Sequence, residues 1–162
     1  FAKWQNKLPL YNLRLNTLSA ALIRPQLDAL PDRVKNGRRN HDHVATILEG
    51  CQWIAVPNSL PPEQRAPDSI QFNLLKMTDL QVDDFTGQAA ILGLKVEVFG
   101  RSRDNARAFW NWDFLNNNPD QPKTRAMLNR ACDVRLPSRL SLEECDAVAQ
   151  TILDAICSTM EA

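Results

Sequence analysis

The passage from Ser69 to Gly100 constrains the fold of this chain most, because its hydrophobic period changes twice within it. Apolar side chains alternate over 69–77, as they do in a strand with one buried face. Val82 to Leu92 instead has apolar residues at helical spacing, and Gly93 is a typical helix end. Residues 95–99 then alternate again. This pattern predicts a strand–helix–strand unit in which a helix crosses one face of a sheet.

Shorter apolar runs extend this prediction in both directions along the chain. Trp53 to Val56 predicts another strand, and the stretch 58–67, which holds three prolines, predicts an irregular connector. Pro122 to Ala131 predicts a helix, and Cys132 to Pro137 predicts a further strand. Ser141, followed three residues later by a glutamate, is typical of a capping box at the start of a last helix. These elements together predict a small α/β sandwich.

Two helices are predicted in the first 50 residues. The first runs to about Leu30, and Pro25 is expected to bend it because proline lacks a backbone N–H. Pro31 suits the first turn of a second helix, which Gly50 is expected to end. His41 and His43 lie on this second helix, two residues apart. That spacing points them to different sides, so we expect no metal site there.

The composition excludes several classes of function. Lys plus Arg and Asp plus Glu are balanced at 19 each, so the chain has no net positive charge that would favour binding to nucleic acid. No apolar run is long enough to span a membrane, and no signal-peptide pattern opens the chain. We therefore expect a cytoplasmic protein with reduced thiols and with neither a nucleic-acid nor a membrane partner. Its cysteines are widely scattered, at Cys51, Cys132, Cys145 and Cys157.

Residues 11–27 place a polar loop directly before a helix lined with small and aliphatic side chains. Asn16 or Thr17 can cap this helix, and Leu18 and Leu22 fall on one of its faces. The pattern favours an interface helix whose N-terminus would attract an anion. An ordinary capped surface helix is the alternative.

This stretch resembles the Asn-x-Arg-Met-(Ser/Thr)-x-Leu-Gln-Ala-Ala-x-x-x-x-Gln-Leu segment of the DegT/DnrJ/EryC1/StrS family of pyridoxal-phosphate-dependent sugar aminotransferases. Leu15 stands for the usual Met and Ser19 for the usual Gln. A second passage, 136–149, is similar to the closing Leu-Pro-x-x-x-Leu-(Ser/Thr)-x-Glu-Glu…Val-Ala passage of the family. The first resemblance is carried by Asn12, Arg14, Leu18, Ala20, Ala21, Gln26 and Leu27.

The resemblance implies the C-terminal part of an enzyme with the aspartate-aminotransferase fold (fold type I). An interface loop and long interdomain helices would occupy 1–50, and a small α/β domain would occupy 51–162. The cofactor, pyridoxal phosphate, would be bound mainly by a large domain encoded upstream. The Schiff-base lysine would also lie upstream, so we expect no catalytic residue in this chain. Phe1 in place of an initiator Met also suggests that more protein precedes it.

The resemblance implies partners as well as a cofactor. They are the large-domain polypeptide or upstream segment, a second copy of the whole enzyme in a homodimer, and a small-molecule substrate. Asn12 would contact the cofactor phosphate of the neighbouring subunit. The alternative is a loop asparagine that hydrogen-bonds to its own backbone.

Residues 100–118 depart from the family, which usually has a His-Tyr-Pro-x-Pro-x-His-like loop here. Arg101 and Arg103 follow a predicted strand and suit an anionic substrate, with Trp110 or Trp112 as an apolar wall of the pocket. The alternative for the aromatic residues is structural, since they would pin a short helix to the core.

Arg135 lies between two apolar neighbours on a predicted strand, so the alternation points it away from the core. Its planar fork suits a carboxylate. In amino-acid aminotransferases of the same fold, an arginine on the corresponding strand clamps the substrate carboxylate. The alternative is an ion pair with Glu143 or Glu144.

Two functions of different classes fit these observations. One is the C-terminal portion of a sugar-aminotransferase-like enzyme that is inactive without its large domain. The other is a noncatalytic binding or dimerisation module derived from that fold. A lysine in a strand-to-turn context upstream would favour the enzyme.

Overall fold

The computed structural model describes residues 16–61, 63, 65–103, 105–115 and 120–161. In this part of the chain, the helices are α1 (Thr17–Ile23), α2 (Leu30–Leu48), α3 (Asp79–Ile91), α4 (Pro122–Leu128) and α5 (Leu142–Glu161). The strands are β1 (Ile54–Ala55), β2 (Ser69–Leu74), β3 (Glu97–Val98) and β4 (Ala131–Arg135). Short 3-10 helices cover Arg24–Gln26 and Phe109–Asn111. None of the described helices is both long enough and apolar enough to cross a membrane.

The four strands form one antiparallel sheet in the order β1-β2-β4-β3. β4 pairs with β2 through Ile70 and Val134, and with β3 through Val98 and Cys132. Because both pairings are antiparallel, β2 and β3 run parallel to each other with β4 between them. The predicted strand–helix–strand unit is therefore present, but its two strands are separated by a strand from later in the sequence.

The hydrophobic core lies between one face of this sheet and the helices α2, α3 and α5. Phe72 of β2 meets Phe85 of α3 edge to face, with ring centroids 6.4 Å apart. Such a pairing adds to the stabilisation that burial alone gives to aromatic rings. The other fully buried large residues include Val44, Leu48, Ile70, Val82, Val134, Leu136, Ile152 and Ile156.

The other face of the sheet, which we call the open face, is polar. Alternation along β2 and β4 places six side chains there, all but one of them polar: Ser69, Gln71, Asn73, Ala131, Asp133 and Arg135. Their neighbours in sequence, such as Ile70 and Val134, point into the core.

The first helix is shorter than predicted. α1 ends at Ile23, and Pro25 lies in the 3-10 helix that follows. The predicted interruption at Pro25 is therefore confirmed, and its cause is that proline has no backbone N–H to donate to the preceding turn. The predicted end of the helix at Leu30 is wrong. Asn16 caps α1 as predicted, with its Oδ1 accepting from the Ser19 N–H at 2.8 Å. Pro31 lies in the first turn of α2, also as predicted.

Capping boxes set the starts of two other helices. At α5, the Ser141 N–H donates to Glu144 at 2.8 Å and the Glu144 N–H donates to the Ser141 hydroxyl at 3.1 Å, which confirms the predicted box. At α3, Thr78 and Gln81 form a second box, so this helix begins at Asp79 rather than at the predicted Val82.

The connector between β1 and β2 lies against α2. The Pro67 carbonyl contacts Gly37 so closely that a side chain at Gly37 would collide with it. The Arg38 Nε–H donates to the Arg65 carbonyl, and Arg65 Nη2 donates to the Pro57 carbonyl at 3.1 Å. The connector is thus irregular, but these contacts hold it against α2.

Candidate functional site

The predicted site residues do not converge on one place in the described chain. Arg135 ends β4, while Arg101 and Arg103 follow β3. Because β3 and β4 are antiparallel, Arg101 and Arg135 lie at opposite ends of that strand pair. Asn12 lies outside the described residues. The structure therefore presents two candidate regions, one after β3 and one on the open face of the sheet.

In the first region, Arg101 is bonded to the first turns of α3. Its Nη2 lies 3.2 Å from Asp79 Oδ1, and its Nη1 lies 3.4 Å from Asp83 Oδ1. Asp79 also accepts from Arg130 Nη2 at 3.1 Å. These contacts anchor the segment after β3 to the helix. A substrate anion would have to displace one of the two carboxylates, which sequence reasoning had not placed beside Arg101.

A cavity of about 630 Å³ opens beside Arg101, between α3, β3 and the segment 101–107. Its lining mixes both charges with apolar surface. Lys95 lies 2.8 Å from Glu97, and the Arg107 guanidinium lies 4.4 Å from the centre of the Phe99 ring. The mixture suits a small ligand with polar groups better than a purely apolar one.

Trp110 lies in an aromatic cluster near this region. The Arg125 guanidinium of α4 lies 4.2 Å from the centre of a Trp110 ring, and Phe109 packs edge-on at 5.2 Å. One face of the indole is therefore covered by a cation–π contact, which agrees with the structural alternative. Arg103 is exposed on the neighbouring segment.

In the second region, Arg135 pairs with Asp68. Its Nη1 lies 2.7 Å from Asp68 Oδ2, and the two side chains are 70% and 78% exposed. Arg135 points away from the core, as the alternation predicts. Its partner is neither of the glutamates considered from the sequence, and Glu144 instead caps α5. The strand register explains the pairing, because Ser69, next to Asp68, lies opposite Arg135.

Asp133 is a buried carboxylate on the same face, only 4% exposed. Its Oδ1 accepts from the Ser69 hydroxyl at 2.8 Å and from Gln71 Nε2 at 3.0 Å. Sequence reasoning missed this network. The available signal was a charged residue in the middle of the apolar run from Cys132 to Val134.

A polar cavity of about 440 Å³ lies between α2, the connector and the start of β2. His41 and Arg65 line it, with the His41 Nε2 and Arg65 Nη1 atoms 3.5 Å apart. His43 points elsewhere, with its Nε2 2.6 Å from Asp146 Oδ1, so the two histidines face different sides as predicted. Other residues that line the cavity are Glu63, Asp68, Ser69 and Gln71.

Three groups in the described chain have clearly displaced pKa values: Glu63, Cys132 and Cys145, and burial is the largest cause for both cysteines. The pKa of Glu63 is lowered, first by the Leu60 N–H that it accepts at 2.9 Å and then by Arg65. Burial raises the pKa of the Cys132 thiol to about 12, and the charge of Asp133 adds to the effect. A thiol held in this way is inert, so we assign Cys132 no chemical role.

A family model matches residues 1–153, and it describes the DegT/DnrJ/EryC1/StrS aminotransferase family. This chain belongs to that family. Both the N-terminal and the closing passages that carry the resemblance fall inside the match. Among curated proteins, none matches this sequence.

Solved structures show the same fold. The 3-amino-5-hydroxybenzoic acid synthase matches with a TM-score of 0.70 at 19% identity, over 94% of this chain and 41% of that chain. Helicobacter pylori PseC, an aminotransferase of pseudoaminic acid biosynthesis, matches at 0.75 and 14% identity, over 91% and 39%. The E. coli GDP-4-keto-6-deoxy-D-mannose-3-dehydratase, solved with bound hydrated pyridoxal phosphate, matches at 0.65 and 17%, over 90% and 37%. The chain thus spans about two fifths of these proteins.

The fold is that of part of a fold-type-I aminotransferase, and the enzymes of this family use pyridoxal phosphate. The lysines of the described residues, Lys35, Lys76, Lys95 and Lys123, are all exposed, whereas a Schiff-base lysine is activated by a desolvated or positively charged pocket.

Proposed function

We propose that this chain is the C-terminal portion of a pyridoxal-phosphate-dependent, sugar-aminotransferase-like enzyme. The observation that carries the proposal is the family match over 1–153, combined with coverage of only about two fifths of the matched structures. In this proposal, residues 1–50 form the interface loop and interdomain helices. Residues 51–162 form the small domain, which contributes part of the substrate pocket.

Catalysis requires a partner in this proposal. Pyridoxal phosphate, when bound, supplies the electron sink of amino transfer, and a large domain must supply the lysine that holds it. The exposed lysines of the described chain support this division of labour. The isolated chain is therefore inactive, and it acts together with a large-domain polypeptide or as a segment of a longer one.

The helix α1 supports a role at an interface. None of its residues is buried, and Leu18 and Leu22 are 71% and 63% exposed. Leu27 and Leu30 continue this apolar surface beyond the 3-10 helix. In the proposed homodimer of the whole enzyme, this surface packs against the large domain or the second subunit.

Three roles follow for the candidate residues. Asn12 contacts the cofactor phosphate of the neighbouring subunit. Arg135 binds the carboxylate of the amino donor, and its exposed position on the open face leaves its guanidinium accessible. Arg101, Arg103 and Trp110 border the substrate pocket, beside the cavity that follows β3.

The test is to compare this chain with the complete enzyme, in which the large domain is joined or co-expressed. The complete enzyme should purify yellow with bound cofactor and transfer an amino group, whereas the chain alone should do neither. Asn12→Ala should weaken cofactor binding by about 1–2 kcal/mol, the loss of one hydrogen bond to a charged group. The control is Asn58→Ala, an exposed connector residue that should bind cofactor normally.

A complete protein that associates through this chain but binds no cofactor would contradict the proposal and support the noncatalytic module. Unchanged cofactor affinity in Asn12→Ala would remove only the role of Asn12.

A further inference from the structure

In the ion pair between Arg135 and Asp68, another carboxylate could take the place of Asp68. Both side chains are more than two-thirds exposed, although their oxygen and nitrogen atoms are only 2.7 Å apart. Exposed pairs of this kind gain little net free energy, because water competes with each partner. An outside carboxylate can therefore compete with Asp68 for the guanidinium of Arg135.

The backbone under this pair does not depend on the side chains. The Leu136 N–H donates to the Asp68 carbonyl at 2.9 Å, and Ser69 lies in register with Arg135. Arg135 therefore stays at the end of β4 whether or not the carboxylate of Asp68 contacts it. A substitution at Asp68 should change the local charge without moving the strand.

Space for a ligand adjoins the Asp68 side of the pair. Asp68 forms part of the wall of the 440 Å³ cavity, together with Ser69, Gln71 and His41. Arg65 and Glu63 also line this cavity, and their side chains already contact each other at 3.0 Å. A small molecule that displaced Asp68 from Arg135 would meet the His41 imidazole and the oxygen atoms of Ser69 and Gln71, whose donor groups already bind Asp133.

We propose that Asp68 occupies the anion-binding fork of Arg135 until a small carboxylic acid, such as an α-amino acid, takes its place. The step is an exchange of hydrogen bonds in which no covalent bond changes. Asp68 is then a residue that sets the affinity for carboxylate ligands, since the ligand must compete with it. The inference rests on the proposed function only for the identity of the ligand as the amino donor.

The exchange can be measured on the 162-residue chain without activity. Glutarate is titrated while the Arg135 side-chain N–H resonance is followed by NMR, with glutaramide as the uncharged comparison. Asp68→Asn should bind glutarate roughly two- to fivefold more tightly than the parent chain, because the competing charge is gone. Arg135→Gln should lose binding, and glutaramide should not bind.

A matched control separates competition from a change in net charge. Asp154→Asn removes one exposed carboxylate on α5, where Asp154 accepts from Gln150, and it should bind glutarate as the parent does. Equal affinity in Asp68→Asn and the parent would overturn the exchange, as would equal tightening in Asp154→Asn. Retained binding in Arg135→Gln would overturn the site itself.

Failure of the proposed function is distinguishable from failure of this inference. If the complete enzyme transfers no amino group but Asp68→Asn still tightens glutarate binding, the exchange stands and the proposed function falls. If the complete enzyme is active but Asp68→Asn neither tightens glutarate nor lowers the Michaelis constant for the donor, only the exchange falls.

Discussion

At the level of single residues, Cys132 should make the stability of the fold decrease at alkaline pH. Its pKa is raised from 9.0 to about 12, so the folded protein keeps this thiol protonated where the unfolded chain ionises it. The unfolded state binds fewer protons over that window, so the free energy of unfolding should fall as pH rises from 9 towards 12. The slope due to one such proton approaches about 1.4 kcal/mol per pH unit.

The measurement is urea unfolding at several pH values above 8. Cys132→Ala should show a shallower alkaline decline than the parent, whatever its cost from the cavity it leaves. Cys157→Ala, which changes an exposed cysteine, should keep the parental slope. An identical slope in the Cys132 variant would show that other groups dominate the decline.

The orientation of Arg135 was predictable from sequence, whereas its partner was not. Period-two alternation fixes which face of a strand a side chain occupies, and Val134 and Leu136 are buried on either side of it as expected. Asp68 precedes a strand that lies far away in the sequence. Only the register of β2 against β4 brings it to Arg135, and no local pattern encodes that register.

At the scale of elements, two glycines inside helices should respond in opposite ways to the same change. Gly37→Ala would drive a methyl group into the Pro67 carbonyl, so it should destabilise the protein by about 1–3 kcal/mol, as overpacking does. Gly87 of α3 has nothing within 4 Å of an added methyl group. Gly87→Ala should therefore stabilise by about 0.5–1 kcal/mol through helix propensity alone.

Thermal or chemical unfolding of the two variants checks this pair. Proteolysis of the connector adds a local readout, because Gly37→Ala should loosen it from α2 and expose it to cleavage. If both glycines tolerated alanine equally, the contact between α2 and the connector would not be tight.

Helix starts were predictable where a capping residue was recognised and misplaced where it was not. Ser141 and Glu144 predicted the start of α5, and the hydrogen bonds confirm it. The same signal, a threonine followed three residues later by a glutamine, exists at Thr78 and Gln81. Reading apolar spacing alone placed that helix start at Val82, one turn late.

At the scale of the whole molecule, α1 predicts association. Its exposed leucines are apolar surface that the described chain does not cover. In sedimentation velocity, the parent chain should therefore associate with itself or with its large domain, rather than remain a stable 18.3 kDa species. Leu18→Gln combined with Leu22→Gln should shift the population towards the monomer.

The control changes equally exposed residues on another helix. Leu80 and Ile91 of α3 are 81% and 79% exposed, and glutamine at both should leave association as in the parent. A parent chain that stays monomeric and ignores the large domain would contradict the interface. So would equal loss of association in the α3 variant.

The position of β4 also has a consequence for synthesis on the ribosome. β2 and β3 emerge from the exit tunnel before residues 131–135, yet in the sheet each is hydrogen-bonded to β4. Until then the nascent chain carries strand edges with unpaired N–H and C=O groups, which are prone to pair with other chains. The sheet can therefore form only after translation has passed β4. A ribosome that pauses before residue 131 would prolong the exposure of these edges.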